Sequence, residues 1–285
     1  MSAARSGPTG RVRLVEVVAG QTPVEREDDV ASEEPLEIRV EGSGAADGAT
    51  PIAVTMRTPG HDFELAAGFA LSEGIVRYRE ELREIRYCPR PEESQEFNVV
   101  NLVLAPGVRF RPDEFRRNVY TSSSCGVCGK AALERVRVAV PRREPARFTV
   151  PPDVLRRLPD DLRARQAEFE RTGGFHASGL FHPDGRPIAL REDVGRHNAL
   201  DKLIGRRWLD GEVPDSRSVL LVSGRACFEL VHMAAIAGIP FLAAVGAPTD
   251  LAIRLAEEQE MTLVGFLRGG RFNVYTGPGR IAAAD

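Results

Sequence analysis

Four stretches of the sequence combine residue types that can do chemistry. The first, TSSSCGVCGK at 121–130, sets Cys125 and Cys128 as a C-x-x-C pair in a glycine-rich loop. Three serines precede the pair and Lys130-Ala-Ala-Leu-Glu-Arg-Val follows with helical character, so the spacing predicts thiols near a helix N-terminus. The partial positive charge of a helix start favours thiolate over thiol and makes a nucleophile at neutral pH. Charge in the wider segment acts the same way: residues 105–147 hold ten cations against four acids, a net of +6 in a chain of −3. A structural zinc ion would need about four ligands. Cys88 and Cys227 are isolated in sequence, so His176 and His182 would have to complete the set, and no metal site is expected. Thiol–disulfide exchange and relay of sulfane sulfur as a cysteine persulfide both suit such a pair. The residues alone do not separate those two chemistries.

The second stretch, REDVGRHNALDKLIG at 191–205, packs Arg191, Glu192, Asp193, Arg196, His197, Asn198, Asp201 and Lys202 into a strand-to-helix connection. Taken singly, each is as readily a solvated cap or an i,i+4 pair such as His197 with Asp201. As a cluster beside Gly195, they read as a ligand or proton-transfer site at a helix start. The third is Ser223-Gly224-Arg225, directly after the apolar run Val219–Val222; Gly246-Ala247-Pro248-Thr249 holds the equivalent place after the next apolar run. In open α/β sheets ligands bind beyond the carboxyl ends of the strands, where a turn into a helix offers N–H groups to phosphate. The fourth, Phe266-Leu267-Arg268-Gly269-Gly270-Arg271, is a glycine turn with a cation on either side. It reads either as a solvated terminal hairpin or as a phosphate clamp.

These stretches need a scaffold, and 285 residues with 42% hydrophobic content suffice for one or two domains with a sizeable core. The longest apolar runs fall far short of the ~20 residues that span a membrane, and no secretory signal is evident, so a cytoplasmic protein with reduced thiols is expected. Basic segments within an acidic chain point to a confined anionic ligand rather than to nucleic acid. With 36 Arg and only two Lys, Lys130 and Lys202 mark places that call for a compact ammonium. Residues 1–12 read as a loose tail and the acidic run Glu25–Pro35 as a solvated turn or edge.

Strand patterns at 36–40, 52–58, 84–88 and 97–104, with a helix at 62–73, predict an N-terminal α+β domain over 13–112. Prolines punctuate the junction, placed at 106–118. The C-terminal domain, 113–285, has a hairpin about His182-Pro183-Asp184-Gly185 and a helix carrying Leu200, Leu203, Ile204 and Trp208. Strands at 218–222, 241–245 and 261–265 then alternate with helices at 226–237 and 249–258. That alternation predicts an α/β fold with a parallel or mixed sheet.

In this order and combination, SSSCGVCG, REDVGRHNALDKLIG, SGRACFELV with AGIPFLAAVGAP, and TLVGFLRGGRFNVYT resemble the formate dehydrogenase accessory sulfurtransferases, the FdhD family, over about residues 35–278. The resemblance implies a cytidine-deaminase-like three-layer α/β domain with a mixed sheet, a smaller N-terminal α+β domain, and a homodimer. It implies a sulfurtransferase that receives persulfide sulfur from a cysteine desulfurase. The acceptor it implies is the molybdenum or tungsten bis(molybdopterin guanine dinucleotide) cofactor required by formate dehydrogenase. By the match, Cys125 carries the persulfide, Cys128 assists it, and Phe266–Arg271 belongs to the segment that holds the cofactor. Ser223, Gly224, Arg225, His197, Asn198 and Lys202 join that expected cofactor-binding set. Zinc deaminases couple H-x-E to P-C-x-x-C. No H-x-E occurs here and Ser124 precedes Cys125, so deaminase chemistry is not carried over. His232-Met233 stands where the family carries Gln-Lys, and Cys227 reads as a small buried residue. Two rival functions stay open, a cofactor chaperone without catalysis and a thiol–disulfide oxidoreductase.

Overall fold

The computed structural model describes residues 7–42, 48–88, 97–111, 140–141 and 147–283; Cys125, Cys128 and Lys130 lie outside them. An antiparallel hairpin opens the chain, β1 (Thr9–Glu16) with β2 (Val24–Ala31). The loose tail expected through residue 12 therefore ends earlier, because Thr9 to Val12 pair with Ala31 to Asp28. The acidic run lies largely in this hairpin, and β2 is mostly exposed. Strands β3 (Glu34–Glu41), β4 (Thr50–Arg57), β5 (Leu82–Tyr87) and β6 (Val99–Leu104) form a sheet in the order β4-β3-β6-β5. Leu36, Ile38 and Val40 alternate inward along β3, the period-two pattern of a half-buried strand. Helix α1 (Asp62–Ser72) packs on that apolar face.

The second half begins with α2 (Pro152–Arg163) and the short α3 (Ala167–Thr172). The density of prolines before residue 153 reads as loop, yet Pro152 sits at the first helical turn, where a missing N–H costs nothing. Val154, Leu155, Leu158 and Leu162 then make one buried helical face. The antiparallel strands β7 (His176–Phe181) and β8 (Pro187–Asp193) follow, then α4 (Arg196–Leu209), β9 (Val219–Val222), α5 (Phe228–Ile236), β10 (Phe241–Ala244) and α6 (Asp250–Glu258). Strands β11 (Thr262–Arg268) and β12 (Arg271–Thr276) close the sheet, in the order β12-β11-β10-β9-β7-β8. Central β9 and β10 are entirely buried, as expected of parallel strands covered on both faces. Helix α2 covers one face, while α4, α5 and α6 cover the other. The protein is thus mixed α/β, as its strand and helix alternation predicts.

Two glycines join the halves. Helix α1 crosses α4 so closely that a Cβ on Gly68 would stand 2.0 Å from the Asp201 carbonyl oxygen, and one on Gly205 1.8 Å from that of Glu64. This contact merges the apolar faces of both units into one core that holds Leu65, Leu200, Leu203 and Ile204. Leu200 and Leu203 are 0% exposed and Ile204 2%, and each such side chain contributes roughly 1.5–3 kcal/mol on burial.

Candidate functional site

Asp193 ends β8 and Lys202 lies two turns into α4. They form an ion pair of 2.6 Å between side chains 0% and 1% exposed. A buried charge is tolerable only when its remaining hydrogen-bonding capacity is used. Here Lys202 Nζ also donates to the Thr58 carbonyl at 2.8 Å. Asp193 Oδ2 accepts from the Thr58 N–H at 3.1 Å, and Oδ1 accepts from the Gly195 N–H at 2.9 Å and from Asn198 Nδ2 at 3.1 Å. Asn198 completes itself on the Met56 carbonyl and the Thr55 hydroxyl, at 2.7 and 3.1 Å. Asn198 and Lys202 thereby clamp the start of α4 to the end of β4, with their polar atoms engaged inside the protein. Of the polar stretch, these residues share the inward face, and Arg191 pairs with Glu64 of α1 at 2.5 Å. Burial alone would raise the Glu64 carboxyl, but Arg191, helped by His61, lowers it to about 2.

The other polar residues of the α4 start face the carboxyl edge of the six-stranded sheet. Parallel register brings the ends of β9, β10 and β11 to one side of the molecule. There the Ser223 hydroxyl accepts from the Ala177 N–H at 2.9 Å, and the Gly246 N–H donates to the Gly224 carbonyl at 2.9 Å. A Cβ on Gly246 would lie 2.9 Å from that carbonyl oxygen, so glycine permits the two turns to meet. Arg225 is exposed beyond them. His197 reaches across to Cys227, the N-cap of α5, with Nε2 and Sγ 3.4 Å apart. Donor atoms of His197, Cys227 and Glu229 all lie within 4.8 Å of one another. Burial pushes the His197 imidazole below its usual range, and Arg196 adds to this while Glu229 opposes it. His176, at the start of β7, is lowered in the same way, by burial and then by Arg196. Burial raises the Cys227 thiol, and the Leu230 N–H and Arg196 oppose that rise.

On the same edge, Phe266 donates its N–H to the Gly246 carbonyl at 2.9 Å and holds φ 53° in a bulged part of β11. A non-glycine residue there costs about 1–3 kcal/mol. Arg268 lies over the Phe266 ring, with 5.8 Å from Cζ to the centroid. Leu267 is buried in the core, so it roots the hairpin. Beyond it Arg268 and Arg271 pair across Gly269 and Gly270, whose φ values of 60° and 75° fit a tight two-residue turn. All four tip residues are exposed.

Geometry therefore divides the residues singled out in the sequence. Ser223, Gly224, Arg225, His197 and Phe266–Arg271 gather along the carboxyl edge, whereas Asn198 and Lys202 turn inward. Cys125 and Cys128 lie outside the described residues. Sequence alone does not single out Glu229, and Cys227 reads there as a small buried residue. The signal available was a cysteine at a helix start with a carboxylate two residues on.

A sequence profile described as the FdhD/NarQ family matches residues 31–282. The chain is 51% identical to the sulfur carrier protein FdhD of Streptomyces coelicolor, over 96% of each chain. It is 49% identical to the protein of the same name from Mycobacterium tuberculosis, over 94% of this chain and 97% of the other. Its fold matches the crystal structure of a Desulfotalea psychrophila protein described as a formate dehydrogenase accessory protein. That match has a TM-score of 0.73 and 26% identity, over 96% of this chain and 99% of that one.

Proposed function

Since the chain belongs to the FdhD/NarQ family, we propose that it is a sulfur carrier for formate dehydrogenase maturation, with Cys125 as the carrying thiol. The observation that bears most weight is near full-length similarity to proteins named as sulfur carriers, in a chain with a C-x-x-C pair inside a segment of net charge +6. Cys125 thiolate attacks the outer sulfur of a cysteine desulfurase persulfide. The new S–S bond forms on Cys125 as the donor's S–S bond breaks, and the donor leaves as a thiolate. Cys128 protects or releases the sulfur.

The acceptor in this reading is the molybdenum or tungsten bis(molybdopterin guanine dinucleotide) cofactor, bound as substrate and then passed to formate dehydrogenase. Its phosphates suit the backbone N–H groups of Gly224 and Arg225, in a turn that Ser223 ties to Ala177, and the paired guanidinium groups of Arg268 and Arg271. Phe266, Leu267, Gly269 and Gly270 shape that hairpin. His197 lies on the same edge, and Asn198 and Lys202 hold the frame beneath it as positioning residues. We assign the working form to a homodimer in the cytoplasm; among the described residues no helix is long and apolar enough to cross a membrane.

Intact mass spectrometry after incubation with a cysteine desulfurase and cysteine tests the carrier step. The wild type gains one sulfur atom and Cys125→Ala gains none. Equal gain by Cys125→Ala places the sulfur on another thiol and overturns Cys125 as the carrier, whereas no gain by the wild type with an active desulfurase overturns the carrier reading and favours a cofactor chaperone.

A further inference from the structure

We propose that His197, Cys227 and Glu229 form a three-ligand site for a zinc-class divalent ion, distinct from the Cys125–Cys128 pair. The three donors come from two separate helix starts, the first turn of α4 and the N-cap and first turn of α5. They converge within 4.8 Å although Cys227 follows His197 by thirty positions in sequence. Zinc binds thiolate at about 2.3 Å and imidazole at about 2.0–2.1 Å, so a tetrahedral ion sets these two donors about 3.5 Å apart. The observed Nε2 to Sγ separation is 3.4 Å. Thiolate, carboxylate and imidazole form a mixed soft and hard set that suits zinc better than magnesium or calcium, which take oxygen ligands.

Charge and hydrogen bonding agree with this assignment. One thiolate and one carboxylate balance a divalent ion, with the imidazole neutral. The Arg196 guanidinium favours the Cys227 thiolate. Its Nε is buried and, among the described residues, has no hydrogen-bond partner. An unpaired buried donor calls for an acceptor. Three protein ligands leave the fourth tetrahedral position open, and an oxygen or sulfur ligand there would present that acceptor. The pattern H-N-A with A-C-F-E differs from the H-x-E and P-C-x-x-C of zinc deaminases. The third donor is therefore a carboxylate two residues after the cysteine, and no deamination follows from it. Binding would put the metal in place of the Cys227 thiol proton, which is released to solvent.

Cobalt(II) spectroscopy on the reduced, EDTA-stripped full chain tests the site without any sulfur-transfer assay. Cys125→Ser/Cys128→Ser serves as the parent, so that the pair cannot contribute. At one equivalent of cobalt the parent should develop a thiolate-to-cobalt charge-transfer band and tetrahedral d–d bands, both displaced by zinc. Cys227→Ser added to the parent should abolish the charge-transfer band. Glu229→Gln, a mild change on a half-buried helix turn, should weaken cobalt binding by about tenfold or more with an unchanged circular dichroism spectrum, comparable to the loss seen when a metal site is perturbed. Absence of the band in the folded parent overturns the proposal, as does an equal band and affinity in the folded Cys227→Ser protein.

Discussion

The Asp193–Lys202 clasp and the His197–Cys227–Glu229 cluster share one helix start and treat their polar groups in opposite ways. In the clasp the charges are 0% and 1% exposed and meet Thr58, Gly195 and Asn198 in a closed set of hydrogen bonds. In the cluster the side chains are half-buried, donors from two helices converge, and the neighbouring Arg196 has an Nε without a hydrogen-bond partner among the described residues. Helix phase makes the division. Asn198 and Lys202, four residues apart, turn to the end of β4, while Arg196 and His197 turn to the start of α5 and Asp201 and Gly205 to α1. A run that reads as a single polar site is thus three contacts, one of which holds the scaffold, one of which faces the sheet edge, and one of which joins the two halves.

Stability measurements separate these contacts, and the clasp should show the largest effect. Lys202→Met strands Asp193 as a buried, unpaired charge, so we expect a loss of about 3–5 kcal/mol in urea denaturation. Cys227→Ser, one contact away, should cost less than about 1 kcal/mol, as a near-isosteric change at a half-buried position. Similar losses in the two variants would mean that the clasp and the cluster are one energetic unit.

Gly205→Ala comes next. Alanine favours the helix by about 1 kcal/mol over glycine, yet its Cβ would stand 1.8 Å from the Glu64 carbonyl oxygen. Backbone cannot swing aside as a side chain does, so α1 and α4 must part. We expect a net loss of about 1–3 kcal/mol from the strained crossing. A stabilised Gly205→Ala protein would show that the halves tolerate separation there.

Much of the C-terminal sheet was legible because its strands are short apolar runs and its helices end at glycine. Val219–Val222 and Phe241–Ala244 admit no polar face, and Gly211 and Gly238 mark the helix ends with φ of 74° and 73°. Helix α2 was hidden because Pro151 and Pro152 read as punctuation, although Pro152 occupies the one turn that accepts it. Pairing of β1 with β2 was hidden because charge dominates β2, and exposed valines such as Val15 and Val24 do not form a core-facing pattern. The roles of Asn198 and Lys202 depend on Met56 and Thr58, more than 140 positions earlier in sequence. No local periodicity carries that information. Likewise Gly68 and Gly205 look like ordinary helix glycines until the two helices meet. Cys227 and Glu229 were legible as a spacing, but their partner His197 sits on another helix.

The smallest expected effect concerns the third contact, where two carboxyl groups at the α1–α4 interface oppose each other in pH dependence. Asp201 is buried and accepts from the Ser72 hydroxyl at 3.0 Å. Burial raises its carboxyl well above the ordinary 3.8, and Glu73 and Asp193 push the same way against Ser72. A raised folded value means that the neutral acid suits the fold and that ionisation costs stability at higher pH. Asp201→Asn should therefore raise Tm at pH 7, and its advantage should shrink as acid protonates Asp201 in the wild type. Glu64 has the opposite sign. Its folded value of about 2 lies below the ordinary 4.5, so its pair with Arg191 stabilises above that value and loses its contribution between about 4.5 and 2. Glu64→Gln should consequently lower Tm at pH 7 and cease to matter near pH 2. Tm measured against pH for the two variants gives difference curves of opposite sign if one helix crossing holds both an ion-paired and a desolvated carboxyl. Curves of the same sign would mean that the fold stabilises the Asp201 carboxylate as it does that of Glu64, and a flat curve for Asp201→Asn would place that group in a solvated setting; either result removes the distinction.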